Sequence, residues 1–66
     1  MNEEIRNLLH SIKDMKNEIN NLYHEALELR AEFATDSEEY ELITAAMDLI
    51  DDAENDLASA EDELYV

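Results

Sequence analysis

Apolar side chains recur through the first half of the chain at Ile5, Leu8, Ile12, Met15, Ile19, Leu22, Ala26, Leu29 and Phe33, an unbroken 3-4-3-4 spacing. That period places them on one stripe of an α-helix, at positions a and d of a heptad repeat. Asn2 is a suitable N-cap, and Glu3 and Glu4 in the first turn suit the positive end of the helix dipole. The pattern predicts a first helix over about residues 3–33.

A second series follows at Ile43, Ala46, Ile50, Ala53, Leu57, Ala60 and Leu64, again at 3-4 spacing, but with large residues alternating strictly with alanines. Between the two series lies Ala34-Thr35-Asp36-Ser37-Glu38, in which Thr35 followed by Glu38 has the form of a capping box. The pattern therefore predicts a turn near residues 34–36 and a second helix over about residues 36–64. A single helix of some 60 residues competes with this reading, because neither Gly nor Pro marks the turn and Ile43, Ile50, Leu57 and Leu64 continue the d phase of the first series. Two features favour the hairpin. Folding the chain back at residues 34–35 sets Leu8, Met15 and Leu22 against Ala60, Ala53 and Ala46, and large-against-small layers pack without voids. A continuous helix would instead place Glu54 and Glu61 in its seam.

The expected fold is thus all-α, one antiparallel helical-hairpin domain over residues 1–66. Leu9, Tyr23 and Leu27 on the first helix and Tyr40, Leu42, Met47 and Leu49 on the second fall beside the expected seam and widen the apolar stripe. A chain this short buries little surface alone, so that patch predicts association, with a homodimeric four-helix bundle as the simplest form. Docking of a different protein on Leu9, Tyr23, Leu27, Tyr40, Met47 and Leu49 is the alternative use.

Charge changes the picture more than composition does. Nineteen Asp and Glu against four Lys and Arg give a formal charge of -15, while Gly, Pro, Cys and Trp are absent. Without cysteine there is no disulfide or thiolate metal site, and the redox compartment stays open. Direct binding to DNA, RNA or an anionic membrane is disfavoured, since such binding needs clustered Lys and Arg. The opening Met-Asn-Glu-Glu-Ile-Arg has neither the basic start nor the apolar run of a signal peptide, which predicts a mature chain starting near Met1. No apolar run reaches the roughly 18 residues of a membrane span, so a soluble, cytoplasmic protein is expected.

Candidate chemistry is sparse. His10 and His24 fall at outward positions of the first helix, and the residues three before them are Asn7 and Asn21, not the Glu of a di-iron Glu-x-x-His motif. Asp51, Asp52, Glu54 and Asp56 are dense enough to suggest calcium, but an EF-hand loop needs a glycine turn between its ligands. Ser11, Ser37 and Ser59 have no activating His or Lys arrangement, and no glycine loop is present to cradle phosphate. No catalytic residue, metal or cofactor is expected. Thr44-Ala45-Ala46-Met47-Asp48 resembles the Ser-Gln-Glu-Leu-Asp motif of the small aspartyl-phosphate phosphatases of sporulation. The Asp is identical and Thr and Met are similar residues, but the Ser and Gln are missing, so no activity is carried onto Asp48. The architecture also resembles the Rop-type hairpin dimers that bind paired RNA loops, a function that requires a basic face this chain lacks.

The sharpest functional signal is how the charge divides. Residues 1–35 carry seven acids and four bases, whereas residues 36–66 carry twelve acids and no base. Along a helix those twelve span about 42 Å, roughly one negative charge per 3.5 Å, close to the phosphate spacing of one strand of B-DNA at about 3.4 Å. Asp48, Asp51, Asp52, Asp56, Asp62 and Glu63 recur at i, i+3 and i+4 steps and offer a rigid acidic stripe. In the expected register Lys16 faces Glu54, Arg6 faces Glu63 and Arg30 faces Glu39 or Tyr40, leaving most carboxylates of the second helix unpartnered. The sequence thus suggests a non-enzymatic inhibitor that imitates a nucleic-acid backbone and occupies the basic site of a nucleic-acid-binding protein. Phage counter-defence and antirepressor proteins resemble it in size and charge. A helical regulator docking a partner helix through its apolar face, with charge serving only solubility, is the alternative.

Overall fold

Asn2 opens the first helix, α1 (Glu3–Arg30), its Oδ1 accepting from the backbone N–H of Glu4 at 2.7 Å and of Ile5 at 3.3 Å. These are two of the donors that a helix start leaves without a partner. In the computed structural model, which describes residues 2–65, α1 is followed by a second helix, α2 (Glu38–Leu64). The two pack side by side as a hairpin 50 Å long.

Helix α1 stops at Arg30, three residues earlier than the apolar period suggests. The N–H of Glu32 bonds to the carbonyl of Leu29, and that of Phe33 to Arg30, both at 3.1 Å. These three-residue steps tighten the chain out of the α-helix without a glycine. Ser37, not Thr35, then caps α2. Its Oγ accepts from the Tyr40 N–H at 3.1 Å and donates to the Ala34 carbonyl at 2.7 Å, while its own N–H reaches the same carbonyl at 3.0 Å. Ala34 thus holds the capping hydroxyl in place, and the expected Thr35–Glu38 box does not form because the helix begins only at Glu38.

The seam between the helices keeps a seven-residue repeat but uses a different face from the one expected. On α1 the covered positions are Ile5, Leu9, Ile12, Lys16, Ile19, Tyr23, Ala26 and Arg30. On α2 they are Tyr40, Ile43, Met47, Ile50, Glu54, Leu57, Glu61 and Leu64, with Thr44 and Ala58 half-covered beside them on the side of the Met47 row. Leu9, Ile12 and Met47 are the buried apolar side chains among the described residues. The layers of Ile5, Ile12, Ile19 and Ala26 with Leu64, Leu57, Ile50 and Ile43 thus remain in the seam. The alanine layers do not: Leu8, Met15 and Leu22 are about half exposed, and Ala46, Ala53 and Ala60 are exposed beside them.

The reason lies in the charged side chains. Rotating α1 toward Leu9, Lys16, Tyr23 and Arg30 lets two long cationic side chains cover apolar surface with their stems while their heads meet α2. Lys16 Nζ lies 3.3 Å from Glu61 Oε1, the only ion pair among the described residues. The Arg30 guanidinium sits over the Tyr40 ring, 4.8 Å from its centroid, and donates to Thr44 Oγ1 at 3.0 Å. Thr44 in turn donates to the Tyr40 carbonyl at 2.9 Å, so the turn end is pinned by one connected group. Arg30 therefore meets Tyr40 as the sequence suggests, whereas Lys16 passes Glu54 and pairs two turns further along. Arg6 forms no ion pair with Glu63 among the described residues.

Candidate functional site

The repeat gives the hairpin two unlike flanks. One is closed, formed by the Leu9, Lys16, Tyr23 and Arg30 row of α1 against the Tyr40, Met47, Glu54 and Glu61 row of α2. Arg6 and Lys13 stand one position outside that α1 row and line a cleft with Leu9, His10 and Tyr65. All four Lys and Arg of the chain therefore serve the closed flank.

The opposite flank is open. Residues at i+3 from the seam positions turn away from the closed side, so the Leu8, Met15, Leu22 and Leu29 row of α1 and the Ala46, Ala53 and Ala60 row of α2 share this face. Leu8, Met15, Leu22 and Leu29 are 47–50% exposed, and Leu42 (63%) and Leu49 (70%) stand just outside the alanines. The result is a trough with a leucine and methionine ridge, an alanine floor and, toward the turn, a second ridge of Leu42 and Leu49. Toward the chain ends that second ridge continues as Asp56 and Glu63, both exposed. The outer rim of α1 carries Glu4, Glu18 and Glu25, and the groove over Leu22, Ala26 and Leu29 is bordered by Glu25, Glu28 and Glu32. No Lys or Arg lies on this flank.

Behind the trough, the outward half of α2 is a third surface. Asp48, Asp51, Asp52, Asp56, Asp62 and Glu63 are all exposed and none is in an ion pair. Their helical positions spread them over about half the circumference of α2, so they form a half-cylinder of charge instead of one narrow stripe. Glu54 and Glu61 are withdrawn from it into the seam, where Glu61 Oε2 is buried without a partner. The last turn of α2 holds acids and no base, which sets negative charge at the negative end of the helix dipole.

The apolar patch expected to serve docking or dimerisation is divided by the fold. Leu9 and Met47 are buried inside the hairpin, and Tyr23 and Tyr40 are half-buried in the same closed seam, so these four do not present a docking surface. Leu27 (40% exposed) borders the closed flank, while Leu49 stands on the open one. The exposed apolar surface is instead built from Leu8, Met15, Leu22 and Leu29 with the alanines, residues that the sequence pattern assigns to the core. A signal for this choice was present: all four cations fall on one side of the α1 stripe, the side that an acidic partner helix attracts.

His10 and His24 are exposed, and the His24 ring meets Tyr23 edge-on at 6.3 Å between centroids. Ser11 donates to the Asn7 carbonyl, and Ser37 is occupied as the α2 cap. No group of three His, Asp or Glu side chains suited to a metal occurs among the described residues, and no described helix is long and apolar enough to cross a membrane. Comparison of the chain with protein-family models, curated proteins and solved structures finds no match.

Proposed function

We propose that the hairpin is a small non-enzymatic inhibitor that occupies the basic site of a nucleic-acid-binding protein, with the outward half of α2 standing in for a phosphate backbone. The observation that supports this most directly is the exposed, unpaired state of Asp48, Asp51, Asp52, Asp56, Asp62 and Glu63 on a helix about 40 Å long. Nine acids remain outside the seam on α2, from Glu38 to Glu63, about one charge per 4 Å along the axis. Fixed carboxylates at this density meet Lys and Arg side chains arranged for phosphates and steer the encounter at long range. Their mutual repulsion opposes folding, which a purely structural role does not call for.

The homodimeric four-helix bundle is the competing use of the open trough, and it leaves Asp48, Asp51, Asp52 and Asp62 of α2 free for the same target. Capture on the immobilised protein from a cell lysate, eluted with a salt gradient, tests the main reading. The expected result is a nucleic-acid-binding protein released steeply with ionic strength, displaced by added duplex DNA or RNA, and no longer captured after charge reversal at Asp48, Asp51 and Asp52. Capture that duplex cannot displace, or that survives the reversal, refutes mimicry.

A further inference from the structure

We infer that the open trough is the seat of a third helix supplied by a different protein, and that this helix is basic and amphipathic. The trough shares Asp56 and Glu63 with the edge of the α2 half-cylinder but not Asp48, Asp51, Asp52 or Asp62, so the inference does not depend on nucleic-acid mimicry. Three observations select the occupant. The first is shape. Leu8, Met15, Leu22 and Leu29 repeat at seven residues along about 32 Å of α1, and the alanine floor repeats at the same interval, which is the periodicity a helix presents to its neighbours. Alanine lets another backbone approach closely, and a loop or an extended segment would not match a seven-residue repeat on both walls.

The second is charge. The rims carry Glu18, Glu25, Asp56 and Glu63 and no base, because Lys16 and Arg30 are engaged across the closed flank and Arg6 and Lys13 stand beside it. A second copy of the chain would bring the same acidic rims and the same leucine ridge against this one, with like charges facing across the apolar strip. A helix with Lys and Arg beside its apolar stripe places opposite charges there instead. The third observation is polarity along the groove. On the α2 side Leu42 and Leu49 wall its turn half and Asp56 and Glu63 its terminal half, so the occupant's flank toward α2 is apolar over the turn half and cationic over the chain ends, while its flank toward α1 is cationic where it meets Glu18 and Glu25.

A defined probe tests this: a synthetic 21-residue helix with leucine at its a and d positions and lysine at e and g, and a twin carrying glutamate in place of each lysine. Fluorescence anisotropy with the full chain is expected to give micromolar binding of the basic peptide and at least about 30-fold weaker binding of its acidic twin. Leu22→Glu on the ridge and Ala53→Trp on the floor are each expected to weaken the basic peptide about tenfold or more. Both positions are exposed in the hairpin, and retained helicity by circular dichroism establishes that the variants fold. Asp48→Lys with Asp51→Lys, on the half-cylinder away from the trough, is expected to change peptide affinity less than about threefold. Absence of binding, equal binding of both peptides, or insensitivity to Leu22→Glu and Ala53→Trp each overturns the proposal. So does a tight homodimer in sedimentation that those two substitutions dissociate, since a second copy then fills the trough. The Asp48, Asp51 and Asp52 reversals report on mimicry and the trough substitutions on helix docking, so either reading can fail alone.

Discussion

Lys16 bridges the hairpin to Glu61 rather than to Glu54, with 3.3 Å between Nζ and Oε1, and leaves Glu61 Oε2 buried without a partner. The pair lies in the seam, flanked by Ile12 and Ile19 on one helix and Leu57 and Leu64 on the other. A half-satisfied carboxylate in such a position stabilises the fold weakly while its partner is present and opposes it strongly when the partner is gone.

Lys16→Met is therefore expected to destabilise the hairpin by about 1–2 kcal/mol, since Glu61 loses its only counter-charge. Replacing both members by leucine is expected to raise stability above that of the parent by roughly 1 kcal/mol, a rise of about 4–8 °C in Tm for a domain of this size. Thermal melts of the two variants check the pair. A double-leucine variant less stable than Lys16→Met would show that the ion pair, not its apolar surroundings, holds the seam.

The choice of seam face predicts an asymmetry among alanine substitutions that helical periodicity alone does not. Leu9→Ala and Met47→Ala remove buried side chains and are expected to cost about 2–4 kcal/mol each. Leu8→Ala and Leu22→Ala remove side chains already half exposed and are expected to cost under about 1 kcal/mol. Urea unfolding of the four variants separates the faces, and equal losses at Leu8 and Leu9 would contradict the observed rotation of α1.

How much of this was readable beforehand follows from which forces a heptad pattern records. The two helices and their antiparallel return are legible because Ile5, Ile12 and Ile19 with Ile50, Leu57 and Leu64 belong to the seam whichever neighbouring row joins them. The second row is decided by a competition that hydrophobicity does not register. Leu8, Met15 and Leu22 are the more apolar set, yet Leu9, Lys16, Tyr23 and Arg30 form the seam because Lys16 and Arg30 find Glu61, Tyr40 and Thr44 across it. The six acids of α2 were legible as an exposed group because they have no cation on their own helix. Their spread around α2, and the withdrawal of Glu54 and Glu61, follow from which face the partner covers.

At the turn, the same capping chemistry was available at two positions two residues apart, and Ser37 takes the role because the Ala34 carbonyl accepts from its hydroxyl. Ser37→Ala is expected to cost about 1 kcal/mol, and Thr35→Ala to stay within about 0.5 kcal/mol of the parent. Equilibrium unfolding compares them directly. A larger loss at Thr35 would place the α2 N-terminus two residues earlier.

The acids at the end of α2 carry a prediction in which stability and binding move in opposite directions. Asp62 and Glu63 stand in a last turn that has no base, against the helix dipole, and they add to a chain whose formal charge is already -15. Asp62→Lys and Glu63→Lys relieve both effects, because each places a cation at the negative end of the dipole and lowers the repulsion along α2. Each is expected to raise stability by about 0.3–1 kcal/mol at low salt, and the gain is expected to shrink as salt screens the dipole and the neighbouring charges. Raising ionic strength is likewise expected to stabilise the parent chain, since screening weakens repulsion among many carboxylates more than it weakens one ion pair. Glu63→Lys also removes a rim acid of the trough, so its basic-peptide affinity is expected to fall while its melting temperature rises. Melts at low and high salt, paired with peptide binding, test the coupling. A Glu63→Lys variant that is more stable and binds the basic helix as well as the parent would show that Glu63 takes no part in docking.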